Sequence, residues 1–276
     1  MTTAMQDFKN KTVVVTGAAS GIGYALAEAF GKRGARLVLA DVEETALAQA
    51  AEKLAAIAPE VLAQRVDVRR PEEMAALADL AAQRFGVTHI LCNNAGVGHG
   101  GLISKTSLDD WRWVIDVNLW GVIHGVHYFL PQMLAADEPT HIVNTASMAG
   151  LVSGPAMAAY NASKQAVVAI SETLAAECEE SQVGVSVLCP AWVNTRIDES
   201  SRNAPADHTL SDTAETGPLG AELSTLLREG MDPGAVAEEV VAAVEEERLY
   251  ILTHADYMPL FEARAAGIMA SIKNSD

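Results

Sequence analysis

The chain has 276 residues, of which 50% are hydrophobic and 20% charged, and its formal net charge at pH 7 is −17. This acidic balance argues against sequence-independent binding of nucleic acid or anionic lipid, since both need clustered cations. The apolar half of the residues argues against disorder, and a chain this long can bury a core without disulfides or a structural metal.

Short β-branched runs alternate with longer Ala-rich segments along the chain. The nearly continuous apolar runs are typical of parallel strands covered on both faces, and the longer segments carry the Gly and Pro stops of helices. The pattern predicts strands at 11–16, 36–41, 61–67, 88–92, 141–146 and 183–189, with a short last run at 249–253. It predicts one helix that ends at Gly34, one that begins at Pro71, and four others at 43–57, 107–134, 155–180 and 233–247.

This alternation implies βαβ units, a parallel sheet and right-handed crossovers. The composition shifts at 196–230, which is rich in Ser, Thr, Pro, Gly and acids and has no clean period. Such a stretch within a domain is typical of a functional or mobile segment, and we interpret it as a lid. The sequence therefore predicts one domain over 1–276, with this lid and an amphipathic tail at 254–276.

The cysteines and the first residues indicate the compartment. Cys92, Cys178 and Cys189 are too few and too scattered for a disulfide framework. Residues 1–11 lack the apolar core of a signal peptide, and no apolar run approaches the ~18–20 residues that span a bilayer. We expect a cytoplasmic protein with no membrane partner.

A glycine loop, residues 16–23 (TGAASGIG), separates the first predicted strand from its helix. Gly17 permits a tight turn, Gly21 lets the backbone approach a pyrophosphate, and Gly23 lets the helix pack closely on the strand. The N–H groups at the helix N-terminus attract phosphates, so an acidic protein can still hold an anionic cofactor. An ordinary Gly-rich turn is the alternative, and the strand–loop–helix context disfavours it.

Asp41 ends the second predicted strand. An acid in this position can accept hydrogen bonds from the adenosine ribose hydroxyls of a dinucleotide, and it would repel the 2′-phosphate of NADP. Neither Val42 nor Ser20 supplies a compensating positive charge. A charged hydrogen bond contributes about 1.5–3 kcal/mol, so Asp41 favours NAD over NADP by roughly tenfold to a hundredfold.

Tyr160 and Lys164 are spaced i, i+4 near the start of a predicted helix, so their side chains share one face. Ser147 follows the fifth predicted strand, at the strand end that faces the ligand crevice of a parallel sheet. These groups suit proton transfer at an alcohol or carbonyl oxygen, paired with hydride transfer. A nearby ammonium and a positive nicotinamide ring would lower the pKa of Tyr160 from about 10, and Ser147 could orient the substrate oxygen.

In this order along the chain, the motifs resemble those of the short-chain dehydrogenase/reductase family, of the single-domain type, from residue 11 to about 253. They are TGAASGIG at 16–23, Asp67-Val68, NNAG at 93–96, Asn118, Ser147, YNASK at 160–164 and PAWVNT at 190–195. The resemblance implies an α/β fold, a Rossmann-type doubly wound parallel sheet of about seven strands with helices on both faces.

The resemblance also implies roles for the matching positions. Tyr160 would be the general acid/base, Lys164 would lower the pKa of Tyr160 and bind the nicotinamide ribose, Ser147 would hold the substrate oxygen, and Asn118 would hold a water of a proton relay. Asp67 and Val68 would contact the adenine, Asn94 the adenosine side, and Val193 and Thr195 the carboxamide region. The whole cofactor-binding set would be Gly17, Ser20, Gly21, Ile22, Gly23, Asp41, Asp67, Val68, Asn94, Ala95, Gly96, Tyr160, Lys164, Pro190, Val193 and Thr195.

One departure from the family pattern concerns the substrate. The usual Pro-Gly after the sixth strand is Pro190-Ala191 here, and the added methyl group should narrow the space beside the nicotinamide. Met148, Met157 and Trp192 suggest an apolar pocket, unless all three pack in the core. We expect a neutral, hydrophobic secondary alcohol or ketone, with aryl-bearing compounds among the candidates.

Two alternatives stay open at this point, and the second belongs to a different functional class. An NADPH-dependent carbonyl reductase is disfavoured by Asp41, and a catalytically silent dinucleotide-sensing protein is disfavoured by the complete Asn118, Ser147, Tyr160 and Lys164 set. His124 and His127 lie three residues apart, but no third ligand follows at matching spacing, so we expect no metal. The resemblance further implies a homo-oligomer, a tetramer or a dimer.

Overall fold

The computed structural model of the chain describes residues 4–206, 208, 211 and 224–272. These residues form one sheet of seven strands in which all neighbouring strands are parallel. The strands are β1 (Thr12–Thr16), β2 (Arg36–Asp41), β3 (Val61–Arg65), β4 (Ile90–Asn93), β5 (Thr140–Thr145), β6 (Val183–Leu188) and β7 (Tyr250–Ile251).

Helices connect the strands, and a further helix follows β7. They are α1 (Gly21–Lys32), α2 (Glu44–Leu54), α3 (Pro71–Phe85), α4 (Leu108–Ile115), α5 (Gly121–Leu134), α6 (Ala158–Glu177), α7 (Pro233–Glu245) and α8 (Met258–Ala270). No helix in the described ranges combines the length and the apolar content that crossing a membrane would require.

Helices cover both faces of the sheet, and β1 shows why its residues are apolar without interruption. Val13 and Val15 pack into a buried cluster with Phe30 of α1, whereas Val14 packs on the other face with Phe129 of α5. Helices α1, α2 and α7 contribute to the first cluster, and α3, α4, α5 and α6 to the second. The expected doubly wound parallel sheet of seven strands is confirmed.

The strand order creates a crevice at one place on the sheet edge. The order is β3-β2-β1-β4-β5-β6-β7, so the chain moves outward from β1 to β3 and then returns to place β4 on the other side of β1. Ligands of open α/β sheets bind beyond the carboxyl ends of the strands at such a switch point. The glycine loop after β1 and the residues after β4 flank this crevice.

The segment predicted as helical at 107–134 is helical without a break from Leu108 to Leu134, but not all of it is α-helix. A π-helical turn, Asp116–Trp120, separates α4 from α5. The turn contains Asn118, which is fully buried. A π turn adds one residue to a helical turn and is frequent at functional sites, but the apolar periodicity of a long window does not resolve a single added residue.

Other boundaries differ by a few residues. β3 ends at Arg65 and not at residue 67, and Asp67 forms an ion pair with Arg69. The tail forms the helix α8, although none of its 13 residues is buried, and residues 273–276 lie outside the described ranges. The strand predicted at 88–92 is Ile90–Asn93, and the helix predicted at 155–180 is Ala158–Glu177.

Candidate active site

The glycine loop needs glycine at three positions for steric reasons. Gly17 and Gly21 have positive φ angles of 67° and 55°, in the left-handed region that side chains disfavour. A Cβ atom on Gly23 would lie 2.1 Å from the carbonyl oxygen of Gly17. The loop can therefore close into a tight turn and bring the start of α1 against the end of β1.

Helix α1 begins without a cap from its own side chains. Within the described residues, Ser20 at the N-cap makes no side-chain capping bond, and the first turn of α1 has no acid. By contrast, Ser107 caps α4 and Asp232 caps α7. The free N–H groups and positive dipole end of α1 therefore remain available at the crevice, which suits the pyrophosphate of a dinucleotide.

Asp41 supports the glycine loop as well as facing the crevice. Its carboxylate accepts hydrogen bonds from Ala19 N at 2.9 Å and from Glu43 N at 3.0 Å. Burial raises the pKa of Asp41 above its ordinary value, although these backbone N–H groups act in the opposite direction. A carboxylate offers about four acceptor positions, so two bonds leave capacity for ribose hydroxyls.

The residues expected at the adenine are partly engaged with protein groups. Burial acts to raise the pKa of Asp67, but the Arg69 guanidinium, 2.6 Å from its carboxylate, outweighs burial and holds that pKa below its ordinary value. The carbonyl of Val68 accepts a hydrogen bond from His124 Nδ1 at 2.9 Å, and its side chain faces Gly121. Both residues stand beyond β3, on the outer side of the crevice.

Asn94 links three strand ends. Its Nδ2 donates to Thr16 O at 3.1 Å, and its Oδ1 accepts a hydrogen bond from Thr145 Oγ1 at 3.3 Å. The amide therefore holds the turn after β1 against β4 and β5, a structural task that the motif alone does not reveal. Ala95 lies beneath the turn, since a Cβ atom on Gly17 would come within 2.9 Å of Ala95 Cα.

Ser147, Tyr160 and Lys164 come together at the carboxyl end of β5, as the sequence predicts. Lys164 Nζ donates to Thr145 O at 2.9 Å and lies 5.7 Å from the centroid of the Tyr160 ring. Burial lowers the pKa of Lys164 to about 8. Ser147 Oγ accepts from Ala149 N at 3.1 Å and donates to Pro190 O at 3.3 Å, and the Ser147 hydroxyl is close enough to Tyr160 to influence its pKa.

The pKa of Tyr160 moves against expectation. Burial raises it above the ordinary value of 10.0, and the neighbouring Ser147 hydroxyl lowers it by less. The predicted lowering is therefore wrong for the protein groups alone, because loss of hydration disfavours the phenolate. A further positive charge close to the phenol is needed to bring the pKa toward neutrality.

Asn118 holds the loop after β4. Its Oδ1 accepts from Val97 N at 2.8 Å, and its Nδ2 donates to Val97 O at 3.0 Å and to Ser163 Oγ at 3.2 Å. A Cβ atom on Gly96 would lie 3.4 Å from Asn118 Oδ1 and 3.5 Å from Lys164 Nζ. Asn118 and Lys164 therefore meet at Gly96, next to the crevice.

The loop after β6 runs from Ser147 to the glycine loop. Pro190 O accepts from Ser147 Oγ at 3.3 Å, Val193 is buried, and the Thr195 methyl group would be 3.0 Å from a Cβ atom on Gly21. Of the side chains expected in the substrate pocket, Met148 packs in a buried cluster, whereas Met157 and Trp192 are partly exposed. The sequence-predicted residues thus form one continuous edge around the crevice.

The start of the predicted lid crosses this edge through contacts that the sequence did not reveal. We call the 3₁₀ turn Ile197–Asn203 the crossing segment. Within it, Ser200 Oγ accepts a hydrogen bond from Gly98 N at 2.9 Å. At its other end, Arg202 and Asn203 donate to Glu43 Oε1 at 2.8 Å and 2.9 Å. It forms the first part of the predicted lid, of which residues 207, 209–210 and 212–223 lie outside the described ranges.

The two histidines considered for a metal have other contacts. His124 is bonded to Val68 O, and the His127 ring packs edge-on against Tyr128 with the ring centroids 4.8 Å apart. In the part of the chain that the structure describes, no group of three or more His, Cys, Asp or Glu residues is arranged to hold a metal ion.

Comparison with known proteins agrees with this geometry. The family model adh_short, described as short chain dehydrogenase, matches residues 11–206. C alpha-dehydrogenase from Sphingobium sp. strain SYK-6 is 34% identical over 269 residues, which are 97% of this chain and 88% of that protein. 1-Deoxy-11-beta-hydroxypentalenate dehydrogenase from Streptomyces avermitilis is 38% identical over 250 residues, covering 89% of this chain and 85% of that protein.

A solved structure is also similar over its full length. A short chain dehydrogenase/reductase from Burkholderia phymatum, determined in complex with NAD, has a TM-score of 0.93 and 42% sequence identity to this chain, with 99% of each chain covered. The likeness includes all the elements that surround the crevice.

Proposed function

The chain belongs to the short-chain dehydrogenase/reductase family, and we propose that it interconverts a hydrophobic secondary alcohol and its ketone with NAD as cofactor. The observation that carries the proposal is the meeting of Ser147, Tyr160 and Lys164 beside the uncapped N-terminus of α1. An acid/base pair and an anion-binding helix end at one crevice suit dinucleotide-dependent chemistry at a carbinol carbon.

The cofactor proposal depends on the glycine loop and Asp41. When bound, NAD supplies the hydride acceptor for alcohol oxidation and a positive charge beside Tyr160. Gly17, Gly21 and Gly23 leave room for the pyrophosphate, and the Asp41 carboxylate keeps acceptor positions for ribose hydroxyls while repelling a 2′-phosphate. The NAD complex of the Burkholderia phymatum relative supports this preference.

In the proposed reaction the chain moves one proton. Tyr160 Oη takes the proton of the alcohol during oxidation and returns it during reduction, while Ser147 Oγ hydrogen-bonds the same oxygen. Lys164 adds positive charge next to the phenol and binds the nicotinamide ribose. Asn118 keeps the role that the family resemblance implies, a link between Lys164 and solvent through a water.

An apolar substrate is favoured by the side chains around the crevice. Met157 and Trp192 are partly exposed there, and Ala191 narrows the space compared with the family's usual glycine. The relatives are named as dehydrogenases, which favours an alcohol substrate. We include aryl-bearing secondary alcohols among the substrates to be tried first.

The test is a panel of aryl, alicyclic and short aliphatic secondary alcohols, with NAD and NADP in parallel, followed by absorbance of the reduced cofactor. We expect faster turnover of bulky alcohols with NAD.

Tyr160→Phe should lower kcat by about 10²–10⁴-fold while the Kd for NAD stays within about threefold. Tyr250→Phe, in β7, is the matched control and should keep full activity. Unchanged kcat in Tyr160→Phe, or equal rates with NADP, would contradict the proposal.

We also propose a cytoplasmic homo-oligomer, a dimer or tetramer, built from single-domain subunits with the lid at 196–230 and the tail at 254–276. The exposed apolar side chains Leu102, Ile103, Leu108 and Trp120 support an interface. The unpaired cysteines suit a reducing compartment. Light scattering at micromolar concentration tests the assembly, and a monomer would contradict it.

A further inference from the structure

One peptide group beside the candidate active site is held from two opposite sides. The carbonyl of Pro190 accepts hydrogen bonds from Ser147 Oγ at 3.3 Å and from Met148 N at 2.9 Å. The N–H of the same peptide group belongs to Ala191 and donates to His254 Nδ1 at 3.2 Å. The orientation of this peptide plane therefore links His254 to Ser147.

The contacts of His254 define its tautomer. The Nε2 atom lies 3.1 Å from the carbonyl oxygen of Trp192, and a carbonyl oxygen can only accept a hydrogen bond. The Nδ1 atom faces the backbone N–H of Ala191, and an N–H group can only donate. The proton is therefore on Nε2, and Nδ1 is an acceptor. Thr253 Oγ1, 2.7 Å from Nδ1, is a second donor that shares the one lone pair of this nitrogen with the Ala191 N–H. Any other tautomer would place two donors or two acceptors against each other.

The two bonds of His254 differ in how replaceable they are. Trp192 O also accepts a hydrogen bond from Met231 N at 2.9 Å, so it keeps a partner without the imidazole. For the Ala191 N–H, His254 Nδ1 is the one acceptor found within the described ranges. Loss of Nδ1 thus leaves the Ala191 N–H without its protein acceptor. Loss of Nε2 leaves the Trp192 carbonyl with its hydrogen bond from Met231 N.

We propose that His254 is a positioning residue, which orients the peptide bond between Pro190 and Ala191 and through it the hydroxyl of Ser147. This inference rests on the proposed function. The Ser147 hydroxyl has one proton, and Pro190 O accepts it while Ala149 N occupies one lone pair. The remaining lone pair is then available to accept a hydrogen bond from the substrate hydroxyl. If the Pro190–Ala191 peptide group rotates, the Pro190 carbonyl oxygen moves away from Ser147. The Ser147 hydroxyl then loses this acceptor and changes its orientation.

Removal of the imidazole should affect turnover more than cofactor binding. In His254→Ala we expect kcat to fall about tenfold to a hundredfold, because small misplacements of a reacting group have effects of this size. The KM for NAD should change less than about threefold, since the bridge between Val193 and Met231 still holds the following residues. His127→Ala, an exposed histidine on α5, is the control and should keep the activity of the unchanged protein.

Two conservative variants separate the two bonds of the ring. His254→Asn places an amide oxygen close to the position of Nδ1 and can still accept from Ala191 N–H. His254→Gln places an amide nitrogen close to Nε2 and retains only the bond to Trp192 O. We expect His254→Asn to keep most of kcat and His254→Gln to resemble His254→Ala.

The rate of amide hydrogen exchange at Ala191, measured by mass spectrometry without substrate, tests the inference independently of enzyme activity. Exchange should be slow in the unchanged protein and in His254→Asn, and faster by about tenfold or more in His254→Gln and His254→Ala. Full kcat in His254→Gln, or equal exchange in all variants, would overturn the inference. If the unchanged protein oxidises no alcohol, the proposed function fails, whereas the exchange pattern still decides the role of His254.

Discussion

Lys164 is the residue in which stability and proposed chemistry oppose each other most directly. Its ammonium is fully buried with Thr145 O as hydrogen-bond partner, and burial lowers its pKa from 10.5 to about 8. A shift of this size corresponds to about 3 kcal/mol of destabilisation of the charged form. The protein accepts this penalty at a position where we propose that positive charge serves the Tyr160 phenol.

The variant Lys164→Met should therefore be more stable than the unchanged protein at pH 7, by about 2 kcal/mol once the lost hydrogen bond to Thr145 O is subtracted. Turnover should be lost.

Because the pKa of Lys164 is lower in the folded state, the unfolded chain binds more protons between about pH 8 and 10.5. The unchanged protein therefore gains stability as the pH rises through this window. Urea unfolding at pH 7 and pH 10 measures both values, and a constant difference between the two proteins would refute the burial argument.

The glycine loop and α1 act together at the scale of elements. The turn requires φ angles that glycine adopts freely, and the packing of α1 on β1 requires the absence of a side chain at Gly23. The same absence of side chains exposes the helix N-terminus to a ligand. Packing and binding thus have one steric origin in this loop.

Gly23→Ala should destabilise the fold by about 2–4 kcal/mol, since its Cβ atom would meet the rigid backbone of Gly17 at 2.1 Å. Binding of NAD should weaken in the same variant. In Gly267→Ala, within α8, no heavy atom of the described ranges lies within 4 Å of the new Cβ, and we expect a gain of about 0.5–1 kcal/mol. Thermal unfolding compares the two, and equal effects would show that chain entropy and not steric contact dominates.

At the scale of the whole molecule, the crossing segment connects the ends of strands that are distant in sequence. Ser200 binds Gly98 after β4, and Arg202 binds Glu43 after β2. Since β1 lies between β2 and β4 in the sheet, the segment passes over the carboxyl end of β1. The tie between Glu43 and Arg202 therefore joins both sides of the crevice.

A double-mutant cycle with Glu43→Gln and Arg202→Met should give a coupling energy of about 1 kcal/mol, at the upper end for ion pairs that keep partial contact with water. About a quarter of each side chain is exposed, 27% for Arg202 and 25% for Glu43. The control pair Arg112 and Asp109 is 69% and 66% exposed and should couple by less than about 0.3 kcal/mol. Equal coupling energies in the two cycles would argue against a structural tie across the crevice.

Most of the architecture follows from local patterns. The run of valines in β1 predicts a strand buried on both faces, and the glycine loop and Asp41 lie at strand ends where the sequence places them. Tyr160 and Lys164 share a helix face because of their spacing alone. Features of this kind depend on residues within one element, so a linear sequence is enough to predict them.

Tertiary structure decided what depends on packing between distant parts of the chain. Burial sets the direction of the Tyr160 pKa, the interior placement of Asn118 accompanies a π turn, and His254 reaches Ala191 across 63 residues. Desolvation and long-range hydrogen bonds exist only once the sheet has assembled. By itself the sequence determined the fold class and the candidate acid/base residues, whereas tertiary contacts determined the direction of their pKa shifts and the residues that hold them in place.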